Sequence, residues 1–125
     1  MKLTDQSILR ANCYINGEWR GENNIPVTNP ATGDVIASVP RFGTAEAREA
    51  VAAAKAALPA WSARTAQDRS NLLRKWFDLM IEHKEDLAVI LTSEQGKPLS
   101  EARTEIDYAA SFIEFYAEEA KRIYG

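Results

Sequence analysis

The chain has 125 residues, 46% of them apolar, and a net charge of −3. That is enough for one domain with a modest core and too apolar for a disordered chain. Both signs of charge are interspersed, which argues against a general nucleic-acid binder with its basic face. One cysteine, Cys13, excludes an internal disulfide, and no apolar run approaches the ~20 residues that span a bilayer.

Met1 to Asn12 shows no clear pattern and is expected to be a tail or a short loose helix, with the domain proper running from residue 13 to 125. The polar start Met1-Lys2-Leu3-Thr4-Asp5 does not read as a secretory leader, so a reducing, cytoplasmic setting is expected. Asn16-Gly17 sits between Tyr14-Ile15 and Trp19. Both residues tolerate the positive φ of a type I′ turn, so the segment predicts a β-hairpin. Gly21 to Pro26 reads as a polar loop. Val27-Thr28-Asn29 and Val35 to Val39 then flank Pro30-Ala31-Thr32-Gly33-Asp34, a second hairpin signal.

Four helices are expected after the hairpins. The first starts at Thr44 as N-cap, carries Glu46 in its first turn, and presents Ala47, Val51, Ala54 and Leu58 on a narrow stripe. Pro59 is expected to end it. The second begins at Thr65, with Asp68 three residues on in a variant of the capping box. Leu72, Leu73, Trp76, Phe77, Met80 and Ile81 give it a broad apolar face. A short third helix runs from about Glu85 to Gln95, closed by Gly96 in left-handed geometry and by Pro98. Ser100 is the expected N-cap of the last helix. Its core face is expected at Ala102, Ile106, Ala109, Ile113, Tyr116, Ala120 and Ile123, widened by Phe112, Phe115 and Tyr124. The fold class is therefore α+β, two N-terminal hairpins followed by about four helices.

The search for chemistry returns little. Cys13 has no histidine near it in sequence, and the only histidine is His83. One Cys and one His cannot make a zinc site. No G-x-G-x-x-G and no Walker pattern occurs, and Gly96-Lys97 follows a helix rather than a strand. Glu101, Glu105, Glu114, Glu118 and Glu119 along the last helix read as a solvated face. From the residues alone, the chain carries no complete active site.

Read as a string, the chain resembles the N-terminal portion of an aldehyde dehydrogenase. The resemblance rests on Ile15-Asn16-Gly17-Glu18-Trp19, Val27-Thr28-Asn29-Pro30-Ala31-Thr32-Gly33, Leu58-Pro59-Ala60-Trp61, Glu94-Gln95-Gly96-Lys97-Pro98-Leu99 and the ending from Tyr108 to Gly125. Each motif is short, but five occur in the right order and spacing. The ending is most similar to the succinate-semialdehyde dehydrogenase branch. The loop between Trp19 and Val27 looks several residues shorter than is usual there.

The resemblance implies an NAD- or NADP-dependent oxidation of an aldehyde, succinate semialdehyde in that branch, to its acid. A cysteine thiolate attacks the aldehyde, hydride passes to the nicotinamide, and a glutamate activates water. Those residues and the cofactor-binding sheet are expected to lie outside this chain, so no catalytic or cofactor-binding residue is assigned and Cys13 is not given the nucleophile's role. The chain alone is expected to bind no cofactor and to be inactive. Some members of that family bind a structural monovalent cation here, and the resemblance places its donors at the backbone carbonyls of Val27 and Thr28 and the side chain of Glu94; the alternative is a plain strand end beside a helix C-terminus. Expected partners are the remainder of the dehydrogenase chain and further copies of it, with no nucleic acid and no membrane. The competing expectation is a non-catalytic helical interaction module derived from the same family.

Overall fold

The computed structural model describes residues 1–124. Strands β1 (Cys13–Ile15) and β2 (Glu18–Arg20) pair antiparallel, with Ile15 opposite Glu18. Asn16 has φ 52° and Gly17 φ 84°, as the two-residue turn requires. Tyr14 and Trp19 face each other across the ribbon with ring centroids 5.0 Å apart.

Strands β3 (Asn23–Thr28) and β4 (Val35–Pro40) form the second antiparallel ribbon. Its turn is closed by the Asn29 N–H on the Asp34 carbonyl at 2.9 Å and the Gly33 N–H on the Asn29 carbonyl at 2.8 Å. The expected loop over Gly21–Pro26 is mostly strand. A two-stranded ribbon leaves one side of each strand unpaired, so the N–H that Pro26 lacks removes no necessary ladder bond.

Helix α1 (Thr44–Ser62) is capped at Gly43, one residue before the expected Thr44. Gly43 has no side chain to offer, but its N–H donates to the Glu46 carboxylate at 2.8 Å, which is half of a capping box. The helix runs through Pro59 rather than stopping there. So close to the C-terminus a proline deletes one bond while later donors still find carbonyls: Ala63 N–H reaches Pro59 O at 3.1 Å. The expected stripe Ala47, Val51, Ala54 and Leu58 is exposed, and no residue of α1 is fully buried.

Helix α2 (Ala66–Glu82) starts as expected, with Asp68 N–H donating to Thr65 Oγ1 at 3.1 Å and Thr65 Oγ1 donating to the Asp68 carboxylate at 2.7 Å. Helix α3 (Lys84–Gln95) ends at Gly96, with φ 83° and its N–H on Thr92 O at 2.8 Å. Helix α4 (Leu99–Glu119) is capped by Pro98, not Ser100. Proline's fixed φ brings the chain into the helix while its carbonyl already accepts from Glu101 and Ala102.

The core lies where α4 crosses α2 and α3. Its fully buried α4 residues are Ala102, Ala110 and Ala117, with Ile106 and Ile113 half-buried between them. Small side chains let the helix axes approach closely. The expected face is right at Ala102, Ile106 and Ile113 and wrong at its edge: Ala110 and Ala117 are buried where Ala109 and Tyr116 were expected, and Ile123 and Tyr124 lie past the helix end. The first twelve residues include a 3-10 turn at Gln6–Ile8 and a buried Leu3.

Candidate functional site

The residues singled out for chemistry do not converge. Cys13 sits in β1, opposite Arg20, whose guanidinium binds Glu49 of α1 at 2.5 Å. His83 forms the α2–α3 junction and lines a shallow cleft with Thr4, Asp5, Glu82, Glu85 and Asp86. Among the described residues no group of three His, Cys, Asp or Glu side chains is arranged to hold a metal ion.

Val27 and Thr28 close β3, and Glu94 stands in the last turn of α3. The two ends are drawn together at Gly96: a Cβ there would stand 2.8 Å from Pro30 Cγ, two residues beyond Thr28. The candidate donors are two carbonyl oxygens and one carboxylate, an all-oxygen set with a single negative charge, which suits a hard monovalent cation. Thr92 Oγ1, one turn before Gly96, has no hydrogen-bond partner among the described residues, but Thr92 stands two positions from Glu94 and so on a different side of α3.

The carboxylates of α4 do more than face solvent. Arg74 of α2 binds Glu114 at 2.8 Å and Lys84 of α3 binds Asp107 at 2.6 Å. Lys97 binds Glu105. Arg103 makes a two-pronged pair with Glu85, at 2.8 and 2.7 Å. This fork holds the Glu85 carboxyl below its usual range and pushes the Arg103 guanidinium up. Glu118 and Glu119 pair with Lys121 and Arg122 in the turn after the helix. Glu105 and Glu114 stay on the solvent-facing side that was expected, and each also meets a cation there. Sequence separations of 8 and 40 residues hide such partners.

The other side of α4 is bare. Tyr108, Phe112, Phe115 and Tyr116 form an outward aromatic row, with Tyr108 edge-on to Phe112 at 4.9 Å and Phe115 edge-on to Tyr116 at 5.3 Å. Trp76 of α2 is 54% exposed and Phe115 56%. Leu72 and Leu79 of α2, and Val51, Leu58 and Trp61 of α1, are exposed as well. Among the described residues no large side chain is fully buried. Exposed apolar area of this extent is what protein contact faces carry before they are covered.

The sequence profile of the aldehyde dehydrogenase family matches residues 18–125. The glutarate-semialdehyde dehydrogenase of Pseudomonas putida is 62% identical over all of this chain and 27% of its own length. The NADP+-dependent succinate-semialdehyde dehydrogenase of Escherichia coli is 59% identical over the same shares. The crystal structure of succinate-semialdehyde dehydrogenase from Burkholderia pseudomallei superposes with a TM-score of 0.94 at 50% identity, over 100% of this chain and 27% of that one. The chain spans about a quarter of the length of the relatives it matches.

Proposed function

The chain belongs to the aldehyde dehydrogenase family, and from that membership we propose that it serves as the N-terminal scaffold of an NAD(P)-dependent dehydrogenase of short semialdehydes ending in a carboxylate, succinate semialdehyde first among them. The observation that carries this reading is the unbroken similarity to succinate- and glutarate-semialdehyde dehydrogenases over the whole chain and only a quarter of theirs. The bare aromatic row of α4 and the exposed faces of α1 and α2 support it, because they are surfaces that further protein would cover.

In this role the chain's residues do no bond-making. Ala102, Ala110 and Ala117 seat α4, solvent-facing ion pairs from Arg74, Lys84 and Arg103 border that contact, and the aromatic row presents apolar area to the rest of the enzyme. NAD or NADP would be held by the rest of the polypeptide and would supply the hydride acceptor there. A monovalent cation held by the Val27 and Thr28 carbonyls and Glu94 would tie the end of β3 to the end of α3. Copies of the complete enzyme associate with one another.

The test is an assay of the purified 125-residue chain with succinate semialdehyde and NADP+ or NAD+, following reduced nicotinamide. No turnover above a blank is expected. Turnover that disappears in Cys13→Ser would overturn the scaffold reading.

A further inference from the structure

Asp86 is a carboxylate in the first turn of α3 that is only 6% exposed, yet among the described residues no cation pairs with it. Its two oxygens accept instead from consecutive backbone N–H groups, Thr4 at 2.8 Å and Asp5 at 2.8 Å, from a segment more than eighty residues away. Those two bonds hold its carboxyl below the usual range. Beside them Leu3 is buried. Asp5 then caps the 3-10 turn by accepting from the Ser7 N–H at 2.8 Å. Gln6 of that turn and Leu9 just after it line a cleft with Asn29, Thr32, Asp34, Val35 and Ile36 of the second hairpin. At the far end Asn12 Nδ2 donates to the Gly21 carbonyl at 2.8 Å and lies 3.2 Å from the Asn23 side-chain oxygen, at the start of β3.

The opening residues are thus fastened twice, once to the start of α3 and once to the start of the β3–β4 hairpin. The hairpin needs such a fastening. A two-stranded ribbon has little stability of its own, and the main packing of β3 and β4 is with each other, not with the helices. Its other fixed point is the turn, where Pro30 abuts Gly96 at the end of α3. Helix α3, twelve residues and about 18 Å long, therefore carries a fastening at each end, and the hairpin is referenced to both.

We propose that Asp86 is the clasp of an N-terminal strap, residues 3–12, that sets the position of the β3–β4 hairpin against α3. The role is one of positioning. Through the hairpin it fixes where Val27 and Thr28 stand relative to Glu94. The chemistry is specific: an ionised carboxylate accepts two N–H groups side by side, whereas a carboxamide accepts one and turns a donor toward the other.

The experiment is hydrogen exchange, read by mass spectrometry on separate peptides, for the protein and for Asp86→Asn, Leu3→Ser and a variant lacking residues 1–9. In Asp86→Asn, exchange in residues 1–9 should accelerate roughly tenfold or more, as expected for losing a charge-assisted bond. Residues 23–40 should accelerate with it while α2 and α4 keep their protection. Leu3→Ser, which loosens the strap without touching α3, should reproduce the hairpin change. In the shortened variant the hairpin should already exchange fast, and adding Asp86→Asn should change it no further. A hairpin whose protection is unchanged in Asp86→Asn and in the shortened variant would overturn the proposal. So would equal acceleration in all segments by both Asp86→Asn and Leu3→Ser, which would make the strap ordinary packing.

Discussion

Replacing Gly96 by alanine separates two contributions that the structure superimposes. Gly96 has φ +83°, and an L-residue held there costs about 1–2 kcal/mol. A Cβ would also stand 2.8 Å from Pro30 Cγ and 3.7 Å from Pro30 Cβ. The proline ring cannot fold away as a lysine tail could, so the hairpin turn must retreat, at an overpacking cost of about 1–3 kcal/mol. Gly96→Ala should therefore destabilise by about 2–5 kcal/mol in total. With a urea slope of about 2 kcal/mol per molar, the unfolding midpoint should fall by roughly 1–2.5 M. Pro30→Ala removes the obstruction. In that background Gly96→Ala should cost only the backbone share, about 1–2 kcal/mol. An unchanged midpoint in the single variant would refute the left-handed cap. Equal losses in both backgrounds would refute the contact between α3 and the hairpin turn.

Thr65→Ala should lower stability by about 1 kcal/mol in the same urea titration, because the Asp68 N–H loses its acceptor, and Thr65→Ser should recover most of it. The Asp86 carboxyl lies below its ordinary value near 3.8, so its contribution is complete above that value and is lost as pH falls through the lower, folded one. The Thr4 amide resonance should show its main step below about pH 4, and Asp86→Asn should abolish that step; a step of the same size in Asp86→Asn would count against the bond. Phe112→Glu and Tyr116→Glu sit on exposed positions, so the chain's own unfolding midpoint should barely move. Placed in a complete dehydrogenase, the same changes should prevent soluble assembly, measured by sedimentation.

Local signals in the sequence were sound wherever a residue acts through its immediate neighbours. Asn16-Gly17, the Thr65–Asp68 cap and Gly96 all act within four residues, and each stands where its chemistry requires. Caps without a usable side chain were displaced: Gly43 and Pro98 serve where Thr44 and Ser100 have the better hydroxyl. The core face of α4 was legible at Ala102, Ile106 and Ile113 but not at its edge, because Tyr108, Phe112, Phe115 and Tyr116 add apolar residues beyond it and periodicity does not say which of them are covered. The ion pairs of Arg74, Lys84 and Arg103 depend on how α4 lies against α2 and α3 and were hidden with it. Most distant of all is Asp86, an ordinary first-turn acid until the fold brings Thr4 and Asp5 to it. The candidate cation positions Val27, Thr28 and Glu94 came from family resemblance. The structure adds the approach of Pro30 to Gly96, which draws their two elements together.

The scaffold reading is tested most directly by exchange of parts. Residues 1–125 replace the matching quarter of the Escherichia coli NADP+-dependent succinate-semialdehyde dehydrogenase, to which they are 59% identical, and the hybrid is assayed for reduction of NADP+ by succinate semialdehyde. A soluble hybrid with turnover within about tenfold of the parent, a loss no larger than one imperfect contact of about 1.4 kcal/mol, is the expected result. A hybrid that folds and assembles but shows no turnover would contradict the account.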